Sequence, residues 1–186
     1  MIFEEVFASL PTTGWLTLEE ADLLWNYATT MTGDILEIGT YCGRSAKLLA
    51  SALLDTPSRT LHCCDPVIAG FDGVNTPSRY EIFISIVQHV LIGPASGQVC
   101  FHCTTEKKLR ELWNDRYKLG IVYIDGDHSK EATLGAIERW FPLTKRIIFH
   151  DYGGNHKGVG EAIRAYGLKN RFSLAGRVAV FEGGLA

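Results

Sequence analysis

Short apolar runs alternate along this chain with stretches whose apolar positions recur at helical spacing, and that alternation predicts the architecture. Residues 34–39, Asp-Ile-Leu-Glu-Ile-Gly, read as a strand. Residues 119–124, Leu-Gly-Ile-Val-Tyr-Ile, are almost wholly apolar, as expected of a parallel strand covered on both faces. Further strands are expected at 60–65, 98–103 and 146–150. Helical stretches fall between them, at 44–55, from 78 to about 91, after 103 through 114, at 129–140 and at 158–168. Two capping boxes, Thr17 with Glu20 and Ser78 with Glu81, mark helix starts, the first opening a helix to about residue 31. Near the end, residues 172–175 and 178–181 are separated by two residues including Gly176, which reads as an antiparallel hairpin. Five β-α units closing on a hairpin imply a doubly wound α/β fold, its sheet mostly parallel with an antiparallel edge. The expected organisation is one domain over 1–186, with 1–32 as an N-terminal helical segment and 33–186 as a cofactor-binding core.

Composition narrows the classes. A chain of 186 residues with 46% hydrophobic and 21% charged side chains suits a globular protein and argues against disorder. The net charge is −3 and no Lys/Arg run exceeds two, so a nucleic-acid surface is not expected. No apolar run approaches the roughly 20 residues that span a bilayer, so no membrane partner is expected. The first residues lack the basic start of a signal peptide, giving a cytoplasmic expectation. The five cysteines (Cys42, Cys63, Cys64, Cys100, Cys103) read as buried free thiols. Cys100 and Cys103 invite a metal or redox pairing, but three residues apart on a strand they face opposite ways.

In a doubly wound sheet, ligands collect beyond the carboxyl ends of the strands. The first strand ends in Glu37-Ile-Gly39-Thr40-Tyr41-Cys-Gly43-Arg-Ser45. Gly39 permits a close turn, and Gly43 permits approach of the next helix, whose N-terminus and Ser45 offer donors to a carboxylate. The spacing is not the G-x-G-x-x-G that seats a pyrophosphate, and a plain tight turn is the competing reading. Asp65 ends the second strand, placed to accept from ribose hydroxyls or, more blandly, to start a turn before Pro66. Thr104 and Thr105 end the third, either near a base or as helix caps.

Strands four and five end in Asp125-Gly-Asp127-His128-Ser-Lys130 and His150-Asp151-Tyr152. As neighbours, they set Asp125 and Asp151 side by side at one rim. Two such carboxylates repel unless protonated or bridged by a cation, and hard oxygen ligands suit Mg²⁺. Asp127 and His150 are further candidate ligands, His150 the weaker because strand alternation turns it from the face Asp151 uses. The competing reading makes Asp125 and Asp127 loop caps and His128 a solvated turn residue.

These motifs together resemble the class I S-adenosylmethionine-dependent methyltransferases. The glycine loop is similar to that of catechol O-methyltransferase, and Ile124-Asp-Gly-Asp-His-Ser with His150-Asp-Tyr resembles small bacterial sugar and macrolide O-methyltransferases. The resemblance covers about residues 33–160. It implies a Rossmann-like seven-stranded sheet of order 3-2-1-4-5-7-6. It also implies S-adenosyl-L-methionine held by Glu37, Gly39, Thr40, Tyr41, Gly43 and Ser45, with Asp65 on the ribose, Thr104 and Thr105 near the adenine, and Asp125 beside it. Asp125 and Asp151 match the metal-binding aspartates, so Mg²⁺ or another divalent cation is expected. His128 stands where the catechol-type enzymes carry a catalytic lysine, which makes Asp125, His128 and Asp151 the catalytic set. The chain departs from the family in having Tyr152 where an Asn follows the second aspartate, and in its short N-terminal extension. The latter leaves the substrate pocket open or completed by a second subunit, so a homodimer is among the expectations.

The mechanism so implied is in-line methyl transfer to a hydroxyl of a small molecule, a sugar, phenol or natural product. Aspartate-held metal would activate the oxygen, and His128, or failing it Lys130, would take the proton. An NAD-dependent oxidoreductase, a non-catalytic cofactor-binding module and a metal-independent methyltransferase are the alternatives. Phe71, Tyr80, Trp113 and Tyr152 either shape the acceptor pocket or belong to core and interface.

Overall fold

A computed structural model describes residues 2–67, 77–168 and 171–185. Phe71 and most of the 66–77 loop lie outside them. Seven strands form one sheet of order β3-β2-β1-β4-β5-β7-β6, as the resemblance implied. The strands are β1 Asp34–Ile38, β2 Leu61–Cys64, β3 Val99–His102, β4 Leu119–Ile124, β5 Thr144–Phe149, β6 Arg171–Ala175 and β7 Val178–Glu182. The first five run parallel, whereas β7 pairs antiparallel with both β5 and β6.

Period-two alternation feeds two cores. Ile35, Ile121, Tyr123 and Ile148 point to one face, and Leu36, Val122, Ile147 and Phe149 point to the other. Helices α1 Phe3–Ala8, α2 Leu18–Thr30, α3 Arg44–Ala52 and α4 Arg79–Ile86 contribute to the first core. Helices α5 Glu106–Leu112, α6 Lys130–Trp140 and α7 Lys157–Tyr166 cover the second. Each fully buried Leu or Ile contributes about 1.5–3 kcal/mol, which is why the central strands tolerate no polar residue without a specific reason. Glu37 is such an exception.

Both capping boxes form: Thr17 with Glu20 and Ser78 with Glu81 satisfy each other's backbone donors. Helix α1 falls within the expected N-terminal helical segment, though its six residues are too few to show a period of their own. Its packing involves the Arg44 guanidinium, 5.5 Å over the Phe7 ring. Strand β5 starts at Thr144, earlier than the sequence suggests, and ends at Phe149, which leaves His150 outside the ladder. Among the described residues no helix is long and apolar enough to cross a membrane.

Register decides what meets at the carboxyl edge. Ile38 is level with Ile124, and Ile124 with Phe149. Backbone hydrogen bonds carry the alignment one residue further: Asp125 N–H donates to Ile38 O (2.8 Å) and His150 N–H to Ile124 O (3.1 Å). Gly39 N–H donates to Cys64 O (2.9 Å), and Asp65 N–H to His102 O (3.2 Å). Four loops therefore leave the sheet side by side.

Candidate active site

The glycine loop and the acidic loops face one cavity of about 700 Å³, within the range of small-molecule sites. Gly39, Thr40, Tyr41, Ser45, Asp65, Thr105, Asp125, His128 and Asp151 line it; Glu37, Gly43 and Thr104 do not. Gly39 has φ +91°, and a Cβ there would lie 2.1 Å from Asp125 O. Glycine is thus required for this loop to touch the acidic loop. Gly43, at φ +84°, serves as the left-handed N-cap of α3, and a Cβ would press on Val90. Tyr41 is held at φ +46°, its ring stacked on Trp15, which also lines the cavity.

Asp65 fastens this loop. Tyr41 N–H donates to its Oδ2 (2.8 Å) and Val67 N–H to its Oδ1 (2.6 Å). Each carboxylate oxygen has a lone pair to spare, so the turn role and a ribose contact are compatible. Thr105 caps α5 by accepting from Lys108 N–H while lining the cavity. Glu37 sits fully buried beneath the loop, and burial pushes its carboxyl up to about 8. Ser45 and Thr40 lie close enough to oppose that rise, but neither completes a well-formed hydrogen bond to it.

Beside the glycine loop, the two acidic loops meet in a ring of alternating oxygen and nitrogen atoms. His150 Nδ1 lies 3.2 Å from both Asp125 Oδ1 and Asp151 Oδ2. His128 Nε2 approaches the same two oxygens, at 3.5 and 3.1 Å. Arg177 Nη1 donates to Asp151 Oδ1 (2.6 Å), and the Tyr123 hydroxyl donates to Asp125 Oδ2 (3.2 Å). Behind His150, the fully buried Glu20 carboxylate stands 3.6 Å from Nε2 and accepts from Arg177 N–H (2.8 Å) and Thr17 N–H (2.9 Å).

Burial alone would raise both aspartates, but the imidazoles outweigh it and hold Asp125 below the usual range and Asp151 far below it. Burial would likewise depress both histidines, yet the aspartates raise His128 to about 9 and His150 to about 10. All four groups are therefore ionised at neutral pH. Both line the cavity, but His128 is 30% exposed and His150 only 2%, so His128 is the more accessible of the two.

The expectation that His150 points away from Asp151 is corrected here. His150 does follow the strand alternation, onto the face Asp125 shares through Tyr123. Asp151 is the residue that departs: φ +58° swings its carboxylate back to the same side, a conformation Asp tolerates better than most residues. Asp127 does the bland work of a turn, accepting from Ser129 N–H (2.8 Å). Lys130 opens α6 and does not line the cavity. Arg177, His156 and Trp15 were not singled out from sequence, and Glu20 was read there only as a cap. Tyr80, Trp113 and Tyr152 do not line the cavity either: Tyr80 is exposed, Trp113 packs on Trp140, and Tyr152 packs on Phe181.

A family model described as a methyltransferase domain matches residues 36–152, which span the glycine loop through the second aspartate motif. The chain belongs to that family and is a class I S-adenosylmethionine-dependent methyltransferase. Among solved structures, it is similar to the O-methyltransferase NovP (TM-score 0.69, 17% identity, 89% of this chain and 80% of that one). It is similar also to CalS11, a TDP-rhamnose 3'-O-methyltransferase (TM-score 0.65, 16% identity, 97% and 90%). An O-methyltransferase from Bacillus cereus in complex with SAH gives TM-score 0.63 at 19% identity, covering 97% and 90%. At these identities the likeness concerns the fold.

Proposed function

We propose that this protein transfers a methyl group from S-adenosylmethionine to a hydroxyl of a small molecule, a sugar, phenol or natural product. One observation carries the proposal: the glycine loop and the Asp125–His128–His150–Asp151 ring face each other across a single cavity, joined by the Gly39–Asp125 contact. Tyr41, Ser45 and Asp65 are placed to hold the cofactor, and the ring is placed to hold the acceptor. The acceptor oxygen bonds to the methyl carbon as the carbon–sulfur bond breaks, S-adenosylhomocysteine leaves, and the hydroxyl proton must be accepted nearby. Alignment of oxygen, carbon and sulfur within about 3–3.5 Å is what the rigid sheet edge contributes.

His128 is the group presented for that proton. The two carboxylates hold its own proton at neutral pH, so positive charge arriving in the pocket loosens that hold and frees Nε2 as a base. Asp125, His150 and Asp151 also fit a divalent cation, each offering one ligand atom, all within 4.8 Å of one another. Mg²⁺ would rest on the carboxylates alone, whereas a nitrogen-tolerant ion would take His150 as well. When bound, such an ion supplies Lewis acidity that lowers the pKa of an adjacent hydroxyl.

A metal-independent reaction is the second reading, favoured by the ring itself. Two imidazolium groups and Arg177 already bridge and neutralise the aspartates that would otherwise repel. Transfer of labelled methyl to a panel of hydroxylated acceptors, with and without chelator, decides between them. Loss in chelator with recovery on adding Mg²⁺ or Mn²⁺ supports the metal-assisted form, and unchanged turnover supports the ring alone. Methylation confined to nitrogen or sulfur acceptors would overturn the hydroxyl assignment.

A further inference from the structure

Away from the cavity, the β2–β3 edge gathers a different set of side chains. His62 on β2 is paired in register with Cys100 on β3, and Cys64 with His102. Residues 100 and 102 are two apart on a strand and so share a face, which is also the face of His62. One ligand atom from each of His62, Cys100 and His102 lies within 4.8 Å of the others, and none of the three lines the cavity. We propose that His62, Cys100 and His102 form a second metal site, taking a borderline or soft transition-metal ion such as Zn²⁺.

The geometry supports this beyond mere proximity. His62 Nδ1 and His102 Nε2 are 3.1 Å apart. Two nitrogens bound tetrahedrally to zinc at its usual bond length lie about 3.3 Å apart, so little movement is needed. With Nδ1 as ligand, His62 Nε2 is left on the side of Asp34 Oδ2, 4.0 Å away, from where a shift of about 1 Å would form the carboxylate–histidine hydrogen bond that orients metal-bound imidazoles. Asp34 is itself anchored, its Oδ1 accepting from Thr60 N–H (2.7 Å). The Trp113 ring meets His62 edge-on at 4.9 Å and fixes its plane. Burial holds both imidazoles below their usual pKa, in the neutral form that binds metal. Cys100 is exposed, so a fourth position stays open to water. A thiolate with two imidazoles is a donor set for zinc, copper or cobalt rather than for Mg²⁺. The Cys100–Cys103 spacing is thus incidental, and the partners of Cys100 come from strand pairing. The exposure of Cys100 and Cys103 also corrects the expectation that all five thiols are buried: β3 is an edge strand, and only Cys42, Cys63 and Cys64 lie inside.

A Co²⁺ titration of the reduced, metal-free protein, read by the thiolate-to-metal charge-transfer absorption, tests the site. The proposal expects a single charge-transfer-active equivalent, displaced by Zn²⁺. It expects the signal to vanish in Cys100→Ser, to survive in Cys103→Ser and Asp151→Asn, and the affinity to fall roughly 10–100-fold in Asp34→Asn. In the Asp151→Asn background, Zn²⁺ should also raise the melting temperature, and should cease to do so once Cys100→Ser is added. Absence of a charge-transfer band, or a band that persists in Cys100→Ser, would overturn the site. That result would reduce the His62–His102 contact to a hydrogen bond between neutral rings. An exposed Cys→Ser change on an edge strand leaves the core intact, so loss of signal will not be confused with unfolding.

Discussion

Two histidine pairs in this molecule occupy comparably shielded places and come to opposite electrostatic ends. His62 and His102 stand with only the more distant Asp34 nearby, and burial depresses both. His128 and His150 meet the same penalty but sit between Asp125 and Asp151, and are raised to about 9 and about 10. The first pair is neutral and disposed to bind a metal; the second is cationic and binds carboxylates. Desolvation is common to both, so adjacent charge makes the difference. Glu37 shows the same desolvation acting on an acid: without a full hydrogen bond or counter-charge, its carboxyl rises to about 8.

The strongest way to break the contrast is Asp151→Asn, since Asn also tolerates φ +58°. Methyl transfer should fall at least about 100-fold, with S-adenosylhomocysteine affinity changed no more than a few-fold in calorimetry. A variant with wild-type turnover would remove Asp151 from the chemistry. Next in size is Glu37→Gln in the cofactor-free protein. A carboxyl raised from 4.5 to about 8 on folding stabilises fully below pH 4.5 and loses that contribution as pH rises through 8. The Gln variant should therefore match wild type near pH 5 and exceed it near pH 9 by on the order of 3 kcal/mol in denaturant unfolding. Equal stability at both values would show that Glu37 is ionised when buried.

Smaller effects sharpen the pairs themselves. In the metal-free protein, imidazole NMR titration should place His128 and His150 near 9 and 10, and His62 and His102 below 6.5. The signs for stability then oppose. Raised histidines contribute below pH 6.5 and lose it as pH climbs through 9–10, whereas the depressed Asp151 contributes above 3.8 and loses it in acid. The depressed His62 and His102 contribute above 6.5 and lose it as pH falls. Glu20→Gln removes a charge 3.6 Å from His150 Nε2 and should lower His150 while leaving His128 nearly unmoved. Equal shifts in both would show that the ring titrates as one unit.

The mostly parallel sheet with its closing hairpin, both capping boxes and the meeting of Asp125 with Asp151 were legible because strand periods, caps and register are local or follow from connectivity, whereas the strand order came with the family resemblance. What escaped came from single backbone angles and distant contacts. The αL turn at Asp151 left no mark beyond the residue type, yet it decides that Asp151 joins His150 in the ring. Glu20 is visible as a cap but not as a partner of residues 150 and 177, which are brought to it only by the folded sheet. Cys100 and His102 show their shared face in sequence, but His62 enters only through β2–β3 pairing.

The central claim, that one cavity holds the cofactor on the glycine loop beside the Asp125–His128–His150–Asp151 ring, is most directly tested by a crystal structure of the S-adenosylhomocysteine complex. The predicted result has the ribose on Asp65, the sulfur facing the ring, and His128 lining the space left for an acceptor. Cofactor bound elsewhere, or with its sulfur turned away from Asp125 and Asp151, would contradict it.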